Sequence, residues 1–355
     1  MNQVRPPAPQ LAGIEPYDPK YIPAEVMISA NENSVDVPFE IRREVEREVR
    51  KVALNRYPDP LANGLRDMIA DANGLDRDQV LMGNGGDELL FDMALAWGGP
   101  GRTFLNMPPT FSVYINNAQL TNTTIAEVPR RADFEVDEEA VLARLARGDI
   151  DYTIVTSPNN PTGNSVSGTF VERMLEASDA LVMVDEAYFE FSRYTVRPLL
   201  EKHENLVILR TFSKAFSMAG VRMGYLLGSE RVLREFKKVR LPYSVDAVSQ
   251  AIARVVFSNR ASFEKGIDRI IAERETMFAG LGGIEGVTPY PSNANYILFR
   301  LDDRYDAGEV WRQLLEAGVL VRDLSRTPRL ENCLRASIGT PEENERFLRE
   351  LQGIL

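Results

Sequence analysis

Short apolar runs alternate with helical patterns through the middle of the chain, and this alternation limits the fold more than any other feature. The runs lie at 80–82, 103–107, 152–156, 180–185, 206–211 and 223–227, with helical patterns at 88–97, 138–146 and 170–177 between several of them. Runs this short and this uniformly apolar read as strands buried on both faces, and the helices supply the crossovers that parallel strands need. The expected class is therefore α/β, a mainly parallel sheet covered by helices on both faces. After long helical patterns at 247–257 and 263–279 the order changes. Strand-like runs at 296–299, 320–322 and 334–338, a helix near 307–317 and a last helix from Pro341 predict a smaller α+β unit. The expected organisation is an arm over 1–30 packed on the smaller unit, a large domain over 31–250 and a small domain over 251–355.

Charge and composition remove several function classes. The 355 residues carry a formal net charge of −11, which argues against nucleic acid as a partner. No apolar run approaches the roughly 20 residues of a membrane span. Residues 1–10 are polar and Pro-rich, unlike a secretory signal. Cys333 is the only cysteine, so an internal disulfide is excluded, a reducing cytoplasm is expected, and the thiol reads as a small buried hydrophobe. His203 is the only histidine, which excludes a His-based triad and a multi-His metal site; no metal is expected. If the chain is an enzyme, its proton transfers fall to another group, and lysine is the obvious candidate.

In open α/β sheets ligands bind beyond the carboxyl ends of the strands, and polar clusters gather there in this sequence. Asn84-Gly85-Gly86-Asp87 follows one run and opens a helix, where glycines let a backbone approach an anion. The spacing is neither a dinucleotide fingerprint nor a Walker loop. Ser157-Pro-Asn-Asn160-Pro-Thr-Gly163 forms a rigid loop after another run, with the potential for a cis X-Pro bond. Asp185 ends a third run and is either a helix N-cap or the counter-charge of a protonated ring nitrogen. Tyr188, three residues on, reaches the same region or packs as a core tyrosine. Ser213-Lys214 follows a fourth. A lysine there is exposed by default, but in partly apolar surroundings its pKa falls and it becomes a nucleophile toward an aldehyde. Ser213 and Arg222 offer a hydroxyl and a fixed cation suited to a phosphate.

Taken together, Asn160-Pro-Thr-Gly163, Asp185-Glu-Ala-Tyr188, Ser213-Lys214 and Arg222 resemble the fold-type I aminotransferases that depend on pyridoxal 5'-phosphate. The resemblance is closer still to the histidinol-phosphate aminotransferases. It extends through Pro16-Tyr17, Asn31-Glu-Asn33, Arg56-Tyr-Pro-Asp-Pro60, Pro109-Thr-Phe111, Ser292-Asn-Ala-Asn-Tyr296, Val321-Arg-Asp323 and Cys333-Leu-Arg335, nearly the whole chain. It implies a large domain with a mainly parallel sheet plus a smaller α+β domain. It also implies that Lys214 carries the cofactor covalently and shuttles the proton, while Asp185 pairs with the ring nitrogen. Asn160 and Tyr188 would bond the ring oxygen and Phe111 would stack on the ring, where many relatives carry tyrosine. Gly85, Gly86, Asp87, Ser213 and Arg222 would hold the cofactor phosphate, with Tyr57 reaching it from the second subunit of a homodimer. Arg335 would bind the carboxylate of the amino donor, and Tyr17, Arg322 and Arg335 together would receive the substrate phosphate. The substrates implied are a phosphorylated amine and glutamate or 2-oxoglutarate. Alternatives on the same motifs are a threonine-phosphate decarboxylase-like lyase and an aromatic or phenylalanine aminotransferase. A non-catalytic cofactor-binding regulator would need a DNA-binding domain ahead of this part, and the arm before Asn31 is too short for one.

Overall fold

The computed structural model describes residues 4–14 and 21–355. In chain order its strands are β1 (Val26–Met27), β2 (Val80–Asn84), β3 (Thr103–Asn106), β4 (Thr124–Glu127), β5 (Tyr152–Thr156), β6 (Leu181–Asp185), β7 (Leu206–Thr211), β8 (Met223–Gly228), β9 (Val287–Pro289), β10 (Tyr296–Leu301), β11 (Val319–Leu320), β12 (Arg322–Asp323) and β13 (Cys333–Ser337). Seven of them form one sheet in the order β2-β8-β7-β6-β5-β3-β4. Every pairing in it is parallel except the two that β8 makes with β2 and β7.

Strand alternation explains why the central runs look continuously apolar. Val182 and Val184 of β6 join the larger core cluster, while Leu181 and Met183 join a second cluster with Leu89 and Met93 on the other face. Both faces of the sheet are covered, so no exposed polar face marks the two-residue period. The helices are α1 (Phe39–Val49), α2 (Asn63–Asn73), α3 (Gly85–Trp97) and α4 (Val113–Leu120), with others including Glu138–Leu145, Gly168–Ala177, Ala247–Ser258, Glu264–Gly282 and Pro341–Ile354. The last is held at its start by a capping box, Thr340 with Glu343, and by Pro341 in its first turn. Among the described residues no helix is long and apolar enough to cross a membrane.

A second sheet, β12-β13-β10-β9, is antiparallel throughout and is built wholly from residue 287 onward. The run expected as one strand at 320–322 is broken. β11 pairs with β1, β12 pairs with β13, and buried Val321 lies at the step between two sheets. Local apolarity cannot separate these two fates. After β1, Ile28 O accepts from the Ser337 amide at 2.8 Å, so the chain runs along β13 and delivers residues 29–31 to the ends of the central strands. Farther back, Pro9–Leu11 lies near α4.

Candidate active site

A cavity of 560 Å³ opens at the carboxyl ends of β5, β6 and β7 and is walled by the residue 29–32 segment, the start of α3 and the second sheet. Into it the fold brings Gly86, Asp87, Phe111, Asn160, Asp185, Tyr188, Ser213, Lys214, Arg222, Arg322 and Arg335, all singled out from the sequence. Gly85 stands directly behind. Its φ is +77°, and a Cβ on it would sit 2.7 Å from Nη2 of Arg222, so only glycine leaves room for that cation at the helix start. Tyr17 lies outside the described residues. Tyr57 does not reach this chain's cavity; it is 83% exposed and stacks on Tyr243 with ring centroids 4.6 Å apart.

Register places the acid. Thr156, Asp185 and Leu209 are neighbours across β5, β6 and β7, so the Asp185 carboxyl emerges level with the adjoining strand ends. It is buried. Oδ2 accepts from the Tyr114 hydroxyl at 2.7 Å and Oδ1 from the Ala187 amide at 3.0 Å. No arginine, lysine or histidine pairs with it among the described residues, and burial pushes its pKa up to about 6 despite those two donors. The carboxylate thus lacks the one kind of partner that would repay its desolvation. Tyr114 was not anticipated from the sequence. It stands three residues after Phe111 in the first turn of α4, and its hydroxyl also meets Thr156 Oγ1 at 2.7 Å. Only its spacing from Phe111 hinted at this, because a buried tyrosine is usually core.

Lys214 follows β7 and extends its amine into the cavity, where Nζ donates to Ala30 O at 3.0 Å. Burial first, and then the nearby Arg335 cation, lower its pKa to about 8. Glu32 and Asp87 pull the other way and do not win. Tyr188, pushed up to about 12 by burial, accepts at its hydroxyl oxygen from Asn31 Nδ2 at 3.0 Å. Its own proton is therefore left to donate. Asn31, in the left-handed region at φ 56°, is further tied to Ser337 and Asn295. These bonds lock the residue 29–31 segment across the site. The Asn160–Pro161 and Ser157–Pro158 bonds are cis.

Cation placement follows from strand pairing. Arg322 and Arg335 are direct partners across the antiparallel β12–β13 pair, so both project from the same face. Arg335 donates to Asn160 Oδ1 and to Ser29 O at 2.8 Å, and lies over the Tyr296 ring at 5.1 Å. Like charges directly opposite on neighbouring strands are destabilising unless an anion sits between them. At the other end Arg222 pairs with Asp87 at 3.1 Å, with both side chains about half exposed, 46% and 57%. Such a pair contributes little and exchanges readily for a stronger anion.

The cavity therefore combines a buried carboxylate without a cation, an amine with depressed pKa, an aromatic wall from Phe111, and a glycine-lined helix start beside an arginine. A flat cofactor with a protonated ring nitrogen, an aldehyde and a phosphate satisfies all four features, and pyridoxal phosphate is such a molecule. Comparisons with known proteins agree. The family model for class I and II aminotransferases matches residues 25–351. Histidinol-phosphate aminotransferase 1 of Carboxydothermus hydrogenoformans is 38% identical over 355 residues, covering 100% of both chains. The histidinol-phosphate aminotransferase of Chlorobaculum tepidum is 37% identical over 93% of this chain and 94% of its own. Among solved structures, the histidinol-phosphate aminotransferase of Sinorhizobium meliloti in complex with pyridoxal-5'-phosphate superposes with a TM-score of 0.88 at 21% identity, covering 99% of this chain and 98% of that one. This likeness establishes the fold-type I architecture expected from the sequence. With that fold, these motifs and full-length relatives, the chain belongs to the class I and II aminotransferases, a family that works with pyridoxal phosphate.

Proposed function

We propose that the chain moves an amino group between L-histidinol phosphate and 2-oxoglutarate. The observation that carries this reading is the cross-strand pair Arg322 and Arg335, which lines the same cavity as the acid and the lysine. Histidinol phosphate brings a phosphate and glutamate brings carboxylates to one site. Guanidinium forks suit both anions. The full-length relatives carry the same activity in their names.

Pyridoxal phosphate, when bound, supplies a ring that takes up the electron pair freed at the substrate's α-carbon. The chain's residues would divide the remaining work. Asp185 would pair with the protonated ring nitrogen and keep it protonated, its own pKa falling once a cation faces it. Lys214 would hold the cofactor's carbonyl carbon and, as a free amine, carry the proton to and from the α-carbon. Asn160 and Tyr188 would donate to the ring oxygen, Asn160 through the amide nitrogen left over when its Oδ1 accepts from Arg335. Phe111 would cover one ring face. The amides of Gly86 and Asp87, with Ser213 and Arg222, would hold the phosphate. Asp87 would act through its backbone, because its carboxylate repels that anion.

A spectrum of purified holoenzyme tests the reading. Adding L-glutamate should convert the yellow form to one absorbing at shorter wavelength, and 2-oxoglutarate should restore it. Histidinol phosphate should do the same as an amino donor. A spectrum that responds to glutamate and not to histidinol phosphate would overturn the substrate assignment.

A second copy of the chain would complete the site. Leu54, Tyr57 and Leu241 are 85%, 83% and 68% exposed, an apolar surface around the Tyr57–Tyr243 stack that calls for a cover. In a homodimer Tyr57 would donate to the partner's cofactor phosphate. Mixed Tyr57→Phe and Lys214→Ala subunits should then regain activity, since each heterodimer holds one intact site. No gain on mixing, or an active monomer in sedimentation, would sink the proposal.

A further inference from the structure

A second cavity, of 450 Å³, lies apart from the active site and is lined by Arg130, Arg131, Arg300, Arg329, Phe134 and Tyr290, with Pro109 and Ala132. Distant parts of the chain build it. Arg130 and Arg131 follow β4, Tyr290 and Arg300 come from β9 and β10 and the turn after β9, and Arg329 comes from the loop between β12 and β13. It shares no lining residue with the active-site cavity. Between them stands a small apolar cluster of Phe134, Leu298, Leu330 and Cys333, with Tyr290 and Leu324 packed against it. Phe134 and Tyr290 face the basic cavity, and Leu324 and Leu330 face the active site.

Four guanidinium groups around one hollow repel each other, and this in a chain of net charge −11. Their counter-charges do not balance them. Among the described residues the one carboxylate within ion-pair range of any of the four is Asp137, 3.4 Å from Arg131, with both side chains substantially exposed. Arg130 is only 3% exposed. Its Nη1 donates to Phe134 O at 3.2 Å, and its buried Nε has no partner among the described residues. Burial pulls its pKa down to about 10, with Glu135 the strongest opposing charge. Glu135 itself already accepts from Asn164 Nδ2 at 2.7 Å. Arg300 donates through Nε to the Tyr290 hydroxyl at 3.1 Å and through Nη2 to Arg329 O at 3.4 Å. These bonds aim its guanidinium without neutralising it. Glu331, near Arg300 and Arg329, accepts from the Arg329 amide at 2.8 Å. A buried cation without a close counter-charge is costly, and the missing partner is an anion.

We propose that this cavity binds a small, multiply charged oxyanion of the phosphate class, at a site separate from the active site. Phosphate presents several oxygens to converging guanidinium forks, the geometry arginine recognises best. A monovalent anion would leave most of the four charges uncompensated.

Equilibrium dialysis of the holoenzyme against radiolabelled inorganic phosphate, in chloride buffer near physiological ionic strength, tests it. The cofactor occupies its own phosphate site, and the variant Arg322→Gln weakens the substrate's anion site. Holoenzyme carrying Arg322→Gln should still bind one phosphate per subunit. Adding Arg131→Gln and Arg329→Gln, both exposed side chains, should weaken that binding at least tenfold. The same two substitutions in an otherwise unaltered chain should leave kcat and KM for glutamate unchanged. Arg130→Met should abolish the binding if the variant folds, and the exposed pair decides the matter if it does not. Absence of phosphate binding in the Arg322→Gln holoenzyme would overturn the proposal. So would an affinity unmoved by the Arg131→Gln, Arg329→Gln pair, or equal displacement by chloride at equal ionic strength.

Discussion

Lys214→Ala is expected to lower turnover by about 10⁴-fold or more, because in the proposed mechanism it removes both the covalent anchor and the proton carrier. Among the described residues Lys214 is the one lysine lining the active-site cavity. Its pKa of about 8 matters as much as its position. At pH 7.5 an amine with that pKa is about one-quarter free base, against about 0.1% for an ordinary lysine. Uptake of cofactor by the cofactor-free protein should therefore speed up as pH rises through 8 and level off above. A midpoint near 10.5 would contradict the burial argument. Loss of activity should not reflect unfolding. A lysine whose folded pKa is depressed binds its proton more weakly in the native state, so its charging opposes folding below about pH 8 and this cost disappears above the unfolded value. The alanine variant without cofactor should then melt no lower than the parent at neutral pH. Borohydride reduction of the parent should fix the cofactor on the Lys214 peptide, and its recovery on any other lysine would refute the assignment.

Arg322→Ala is expected to erase most of the preference for a phosphorylated amine while sparing the half-reaction with glutamate. Arg335 stays in place in that variant, because its hydrogen bonds run to Asn160 and Ser29 and not to Arg322. Each charge-assisted contact contributes roughly 1.5–3 kcal/mol. Two such contacts correspond to about two to four orders of magnitude in kcat/KM for histidinol phosphate over histidinol. Arg335→Ala should damage both half-reactions, since it also frees Asn160. The measurement is kcat/KM for histidinol phosphate, histidinol, phenylalanine and phosphothreonine with each variant. Equal use of histidinol and its phosphate by the parent, or a clear preference for phenylalanine, would overturn the substrate reading and leave the cofactor chemistry standing. Release of carbon dioxide from phosphothreonine would favour a decarboxylase.

Much of this architecture is written locally. A strand buried on both faces is mostly apolar, so β5, β6, β7 and β8 stand out within a residue of their ends, even with the buried Arg210 of β7, which pairs with Glu186. A charged residue at or just past the end of such a strand lies at the carboxyl end of the sheet, which is why Asp185, the last residue of β6, and Lys214, three residues after β7, could be picked out before their surroundings were known. Edge strand β4, Thr-Ile-Ala-Glu, escaped notice because its residues are only half covered and its pattern is weak. What pairs with what depended on chain segments far apart. Tyr114 meets Asp185 across 71 residues, Lys214 meets Ala30 across 184, and Arg335 meets Asn160 across 175. Arg322 opposite Arg335 is a matter of register between β12 and β13, and a slip of one residue would turn one arginine to the other face. The depressed pKa of Lys214, the raised pKa of Asp185 and the basic hollow around Arg130 likewise arise only on burial. Desolvation depends on which distant segments exclude water, and no short stretch of sequence carries that information.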